Sequence, residues 1–336
     1  MKKIASYAAA AAILFASLMA LSGCKGSKNT KVLLPNVSGK AGEIVVVIER
    51  GEWEGNVGNT LRDILAGDCP YLAQREPLFT LANVPPSAFN NMFKVHRNII
   101  IVNVNPQNAK EGMLYTENKW ARPQSVAQVS AFTEENAVNI LKENAAILPE
   151  FFEQAERNRI IANSILYEES SLRPVVQQLT GGIMHFPSGY KLKKATNDFV
   201  WIADEKQYVD HHVVIYKYPV PSGDPFSVES IVEKHNEFMK NNVPGMFENT
   251  WMTTSTAFPL TTLSKRYHGI DFMETRGMWE VYNDFMGGPF VSHSMYSKDG
   301  KDIIVLEAFV YAPKFDKRQI LREVESLLYS FEWDKE

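Results

Sequence analysis

Cysteine is nearly missing from this chain, Cys24 and Cys69 being its two. They allow at most one internal bridge, so a disulfide framework is excluded and stability has to come from a packed core. A positive surplus is missing too. Lysine and arginine number 35 against 39 aspartate and glutamate, a formal charge of −4, and so balanced a chain lacks the basic footprint with which proteins hold phosphate backbones. Nucleic acid is therefore not an expected partner. The apolar run at residues 8–21 has 14 residues, short of the ~20 that a membrane-crossing helix needs. None of the seven histidines stands in a His-Glu-x-x-His or His-x3-His chelate, and no Gly-x-Ser-x-Gly elbow occurs. With those signatures absent, the expectation is no cofactor, no metal and no catalytic residue.

What is present begins at the amino terminus. Residues 1–23 join Lys2 and Lys3, the apolar run and the small residues Ser22 and Gly23, the three parts of a secretory signal. Leu21-Ser22-Gly23-Cys24 matches the lipobox of bacterial lipoproteins. Cys24 is therefore expected to carry acyl chains such as palmitate and to become the first residue after cleavage. Two or more chains hold a protein stably at a bilayer where one holds it marginally. Cleavage of 23 residues from 336 leaves 313, with 33 basic and 39 acidic residues, because the signal holds two lysines and no acid. That length suits two cores rather than one.

Residues 24–40, rich in Lys, Gly, Ser and Asn, read as a flexible tether. Residues 41–168 read as an N-terminal α/β-type sandwich. The continuous β-branched runs at 44–48 and 99–102 predict strands buried on both faces, residues 124–131 a third strand, and Thr133 and Pro149 the starts of helices. Gly51, Gly55 and Gly58 follow the first strand, but their spacing fits neither a dinucleotide fingerprint nor a P-loop, so a structural turn is expected. Residues 169–182 form a hinge helix closed by Gly181 and Gly182. Residues 183–336 form an antiparallel α+β domain, with strands expected at 186–190, 199–202, 213–216, 251–257, 267–282, 290–296 and 303–311 and helices at 227–241 and 317–331. His235 lies in the apolar stripe of the first of these helices and reads as a satisfied core histidine. His211 and His212, adjacent on a strand, should face opposite ways.

The densest constellation is residues 273–290. Alternation puts Glu274, Arg276 and Glu280 on one strand face and Trp279 on the other, before a turn through Asp284 and the run Gly287-Gly288-Pro289. Glu274, Arg276, Trp279, Glu280 and Asp284 are the candidate binding residues. Glu274 and Arg276 could hold a polar ligand, or form a solvated salt bridge on an exposed sheet face.

The strings Gly51-Glu52-Trp53-Glu54-Gly55, Pro85-Pro86-Ser87-Ala88-Phe89, Thr275-Arg276-Gly277-Met278-Trp279-Glu280 and Asn283-Asp284-Phe285-Met286-Gly287-Gly288 resemble those of the uncharacterised, domain-of-unknown-function lipoproteins found in Bacteroidota. That resemblance implies no catalytic residue. Pro187-Ser188-Gly189-Tyr190 and Ser326-Leu327-Leu328-Tyr329-Ser330-Phe331 make the second half similar to the PsbP and Mog1-like α/β/α sandwich. The functional expectation is a membrane-anchored, non-enzymatic binding or assembly factor of the cell envelope with an envelope protein as partner. Two other readings stand beside it: an enzyme processing envelope glycans or peptides, and a carrier of a small apolar ligand. Lys25-Gly26-Ser27-Lys28 lacks both an Asp after the cysteine and an acidic run, so the expected location is the outer membrane, facing the periplasm. Cys24→Ala should move the protein from the membrane to the soluble fraction on ultracentrifugation, and digestion by protease added to intact cells would contradict the inward orientation.

Overall fold

The computed structural model describes residues 33–334. The signal peptide, Cys24 and the first part of the tether lie outside the described residues. The first half runs through β1 (Glu43–Val47), α1 (Arg50–Glu54), α2 (Asn56–Leu65), β2 (Thr80–Val84), α3 (Asn91–Lys94), β3 (Asn98–Val104), β4 (Gly112–Glu117), β5 (Ser125–Ala131), α4 (Glu134–Glu143) and α5 (Ile147–Leu166). Its sheet has the order β2-β1-β3-β5-β4, parallel except for β4, which runs antiparallel along the edge. The β-branched run explains the arrangement. Ile44 and Val46 pack against Val57, Leu61 and Phe152, while Val45 and Val47 pack against Ile99 and Val126 on the other face. A strand covered on both sides needs apolar residues at every position, and each such side chain stabilises the fold by roughly 1.5–3 kcal/mol. Thr133 caps α4 by accepting the Asn136 N–H. Gly58 lets α2 turn directly against α1: a Cβ there would stand 1.9 Å from the Trp53 carbonyl oxygen. The glycines after β1 therefore serve chain packing.

The second half contains α6 (Arg173–Thr180), β6 (Gly182–Ile183), β7 (Lys191–Ala195), β8 (Phe199–Lys206), β9 (Val209–Pro219), α7 (Val228–Asn242), β10 (Met252–Thr254), β11 (Thr261–Tyr267), β12 (Ile270–Val281), β13 (Gly287–Tyr296), β14 (Asp302–Tyr311), α8 (Arg318–Leu328) and β15 (Glu332–Trp333). Eight strands make an antiparallel sheet in the order β10-β12-β13-β14-β9-β8-β7, with β11 also paired to β12. One face lies under α6 and α8, where Val176, Leu321, Val324 and Leu327 meet Val213, Ile215, Ile304 and Leu306. The other lies under α7, where Phe238 and Met239 meet Val214, Tyr216, Val305 and Phe309. Helix, sheet, helix is the layering this alternation demands, since both faces of the central strands are apolar. The fold class is α+β, as the sequence predicts. Both sheets belong to one compact unit beginning at Pro35.

Two expected strands are corrected. Residues 267–282 are not one strand: His268 and Gly269, with φ of 47° and 84°, make the two-residue turn of a hairpin between β11 and β12. Residues 186–190 make a single bridge, Pro187 to Glu168, and then turn at Ser188 and Gly189, which has φ 109°, so no strand forms.

Helix α8 takes its N-terminal cap from far away. Lys317, at the cap position, supplies no side-chain bond of its own. Both oxygens of buried Glu76 accept instead, from the Lys317 and Arg318 N–H groups at 2.7 Å each. Arg322 on α8 donates to Glu153 on α5, its Nε at 2.9 Å. Glu76→Ala should destabilise the protein by about 1–2 kcal/mol in urea unfolding, as for the loss of a cap. Glu76→Gln keeps one acceptor and should lose less, and an unchanged midpoint in the alanine variant would show that the cap contributes nothing.

Candidate functional site

Alternation along β12 sends Glu274 and Arg276 toward α8 and Trp279 to the α7 side. The side-chain directions are those expected, but the Glu274 face is not exposed, because α8 lies over it. Arg276 donates through Nε to Glu274 Oε1 at 2.8 Å and through Nη1 to Glu325 Oε2 on α8 at 3.1 Å, while its Nη2 reaches Glu325 Oε1. Glu274 Oε2 accepts from Lys265 Nζ at 2.9 Å and from the Tyr329 hydroxyl at 2.7 Å. Burial pushes the Glu274 carboxyl up, but neighbouring His293, Arg276 and Lys265 outweigh it and hold the group below the usual carboxylate range. It is thus a fixed anion in a saturated network, unsuited to proton donation. Cys69 borders the same network, and burial pushes its thiol up to about 11, so little nucleophilic thiolate exists near neutrality.

The remaining candidates lie apart. Trp279 is buried among Phe309 and Tyr311, its Nε1 donating to the Val310 carbonyl at 3.3 Å. Glu280 is half-buried opposite Gly287. Asp284 sits in the turn that follows, where its Oδ1 accepts the Phe285 N–H. Glu274 and Arg276 therefore meet one another, and the other three do not join them.

Cavities open on both sides of the second sheet. On the α7 side a groove of about 270 Å³ is floored by Trp201, His212, Met252, Trp279 and Phe309. Trp251 stacks on Tyr282 at 4.4 Å between centroids and ties the loop after α7 to the β12–β13 turn. On the α8 side a larger cleft of about 520 Å³ opens between α5, α8 and the β8–β9 hairpin. Asp204 and His211 are cross-strand partners in it, and Glu323 on α8 brings Oε2 to 3.7 Å from His211 Nε2. His211 is 6% exposed, and neither ring nitrogen has a hydrogen-bond partner among the described residues. An unpaired buried polar group costs roughly 1–3 kcal/mol, so it calls for an explanation. Burial lowers the His211 imidazole to about 4 and raises the Glu323 carboxyl, so His211 is neutral near pH 7.

The cleft's other charges sit in ion pairs. Lys206 Nζ pairs with Asp204 Oδ2 at 2.6 Å. Fully buried Glu156 lies between Arg97 at 2.8 Å and Arg159 at 3.1 Å and also accepts from Asn98 at 2.7 Å. The sequence reading placed His211 and His212 on opposite faces, which the structure shows, but did not assemble this group. A signal existed: a hairpin turning at residues 207–208 pairs 204 with 211. Asp210, next to His211 in the chain, lines the opposite groove.

Residues 169–330 match the family model of a domain of unknown function, DUF4837, and residues 37–164 match that of another, DUF8532. No curated protein matches the chain. Among solved structures, the Ran-binding protein Mog1p of Saccharomyces cerevisiae is 6% identical, with a TM-score of 0.30 over 46% of this chain and 90% of its own. A point mutant of protein Mog1 gives 7% identity and a TM-score of 0.29 over the same shares, 46% and 90%. A thioesterase of Haemophilus influenzae gives 9% and 0.16, again over 46% of this chain and 90% of its own. Likeness at these scores bears on neither the topology nor the function of this chain.

Arg276→Ala should lower stability in urea unfolding by about 3 kcal/mol, the effect of leaving buried carboxylates without their partner. Glu280→Ala should change it by less than about 1 kcal/mol. Equal small effects would mean that the Arg276 pairs are open to solvent.

Proposed function

We propose that this chain is a lipoprotein anchored through Cys24, facing the periplasm from the outer membrane, that works as a non-enzymatic binding or assembly factor of the cell envelope. The observation that carries the reading is the apolar rim of the α7-side groove. Met246 and Phe247, 78% and 62% exposed, lie in the loop after α7, and Phe285 is fully exposed in the β12–β13 turn. Met246 and Met286 also line the groove itself. Large apolar side chains gathered at the mouth of an aromatic groove mark a site for a partner. Methionine and phenylalanine suit an apolar segment of another envelope protein, since a flexible thioether adapts to the side chain it meets. Arg276 is tied up by Glu274 and Glu325, and Glu280 and Asp284 do not join it, so an enzymatic site at those residues gains no support from this geometry.

The test is in-cell crosslinking followed by affinity capture of the lipidated protein. One stoichiometric envelope protein should crosslink to the intact chain and be lost with Phe247→Ser and Phe285→Ser, both retaining the parent melting temperature. Leu114→Ser, at an exposed apolar residue on the edge strand β4, should retain it. A partner captured equally by all variants would contradict this surface.

A further inference from the structure

The α8-side cleft lies on the opposite face of the sheet from the proposed partner groove and does not depend on it. We infer that this cleft is a binding site for a neutral, polyhydroxylated ligand, a mono- or disaccharide, held at His211.

Three observations converge. The first is the buried imidazole, which lines this cleft with neither ring nitrogen hydrogen-bonded among the described residues. A neutral imidazole presents one donor and one acceptor, and hydroxyl groups answer both at once. The second is charge. Lys206 is paired with Asp204, and Arg97 and Arg159, which share Glu156, are offset in formal charge by Glu323 on the α8 wall. Three cations, Arg97, Arg159 and Lys206, and three carboxylates, Glu156, Asp204 and Glu323, line the cleft, a formal charge of zero that favours a neutral polar ligand over an anion. The third is size and lining. A volume of about 520 Å³ falls within the range of small-molecule sites, and Tyr190, buried in the core, backs the imidazole at 6.5 Å between ring centroids and fixes the wall beside it. Ser188 and Asn163 add further hydrogen-bonding groups to the wall.

The experiment is isothermal titration of the purified full-length mature protein with glucose, galactose, N-acetylglucosamine, cellobiose and chitobiose, with glutamate and inorganic phosphate as charged controls. At least one saccharide should bind and the charged probes should not. His211→Leu should weaken that saccharide at least tenfold while leaving the melting temperature unchanged or higher, since it removes an unpaired polar group. His211→Gln, which keeps one donor and one acceptor, should retain binding within a few-fold. Absence of binding by all five saccharides, preference for glutamate or phosphate, or full affinity in His211→Leu would each overturn the inference. Because Phe247→Ser and Phe285→Ser lie away from the cleft, they should leave saccharide affinity unchanged, which separates this result from the test of partner capture.

Discussion

Helix α8 does not hold its own charges, and the arrangement of the two sheets follows from where it finds their partners. Its first amides are answered by Glu76, Arg322 by Glu153 on α5, and Glu325 by Arg276 on β12. The partners lie in three separate stretches, Glu76 in the connection before β2, Glu153 on α5 and Arg276 on β12. Buried ion pairs add little net stability against apolar substitutes, but loss of one member is costly. Energy for docking the helix therefore comes from Leu321, Val324, Leu327 and Leu328, and its orientation from the charges. That orientation matters beyond stability, because Gln319, Glu323 and Leu327 form one wall of the polar cleft.

The parts of the fold that were legible in the sequence are those decided locally. Continuous β-branched runs at 44–48 and 99–102 could only be strands covered on both sides, and Thr133 followed by two glutamates could hardly be anything but a helix start. His235 was legible for a related reason. Its neighbours on the helix are apolar, so it had to be paired inside the core, and it is, with Glu307 at 3.0 Å and Thr254 at 2.8 Å.

What was hidden depends on a second layer. Charged residues alternating on a strand look the same whether water or a polar helix stripe lies above them, and Arg276 finds Glu325 49 residues away. The polar stripe of α8 likewise reads as a solvated face until the strand beneath it is known to be charged. Glu76 shows the limit most plainly: nothing near it in the chain foretells two amides 241 and 242 residues distant. The cleft suffered the same fate, its members coming from four elements and the connections between others, with no motif among them.

Strand β9 has a consequence for how such a protein can change over time. Its odd-numbered residues from His211 furnish the polar cleft and the core beneath α8, and its even-numbered residues from His212 furnish the aromatic groove and the core beneath α7. A single inserted or deleted residue would exchange the two sets, carrying His212 into the cleft and His211 into the groove. Both surfaces would fail at once, and both cores with them. Mutation can thus tune either face only by replacing side chains in place, and new chain length can enter only at the strand's ends, where the hairpin at 207–208 and the loop before α7 absorb it.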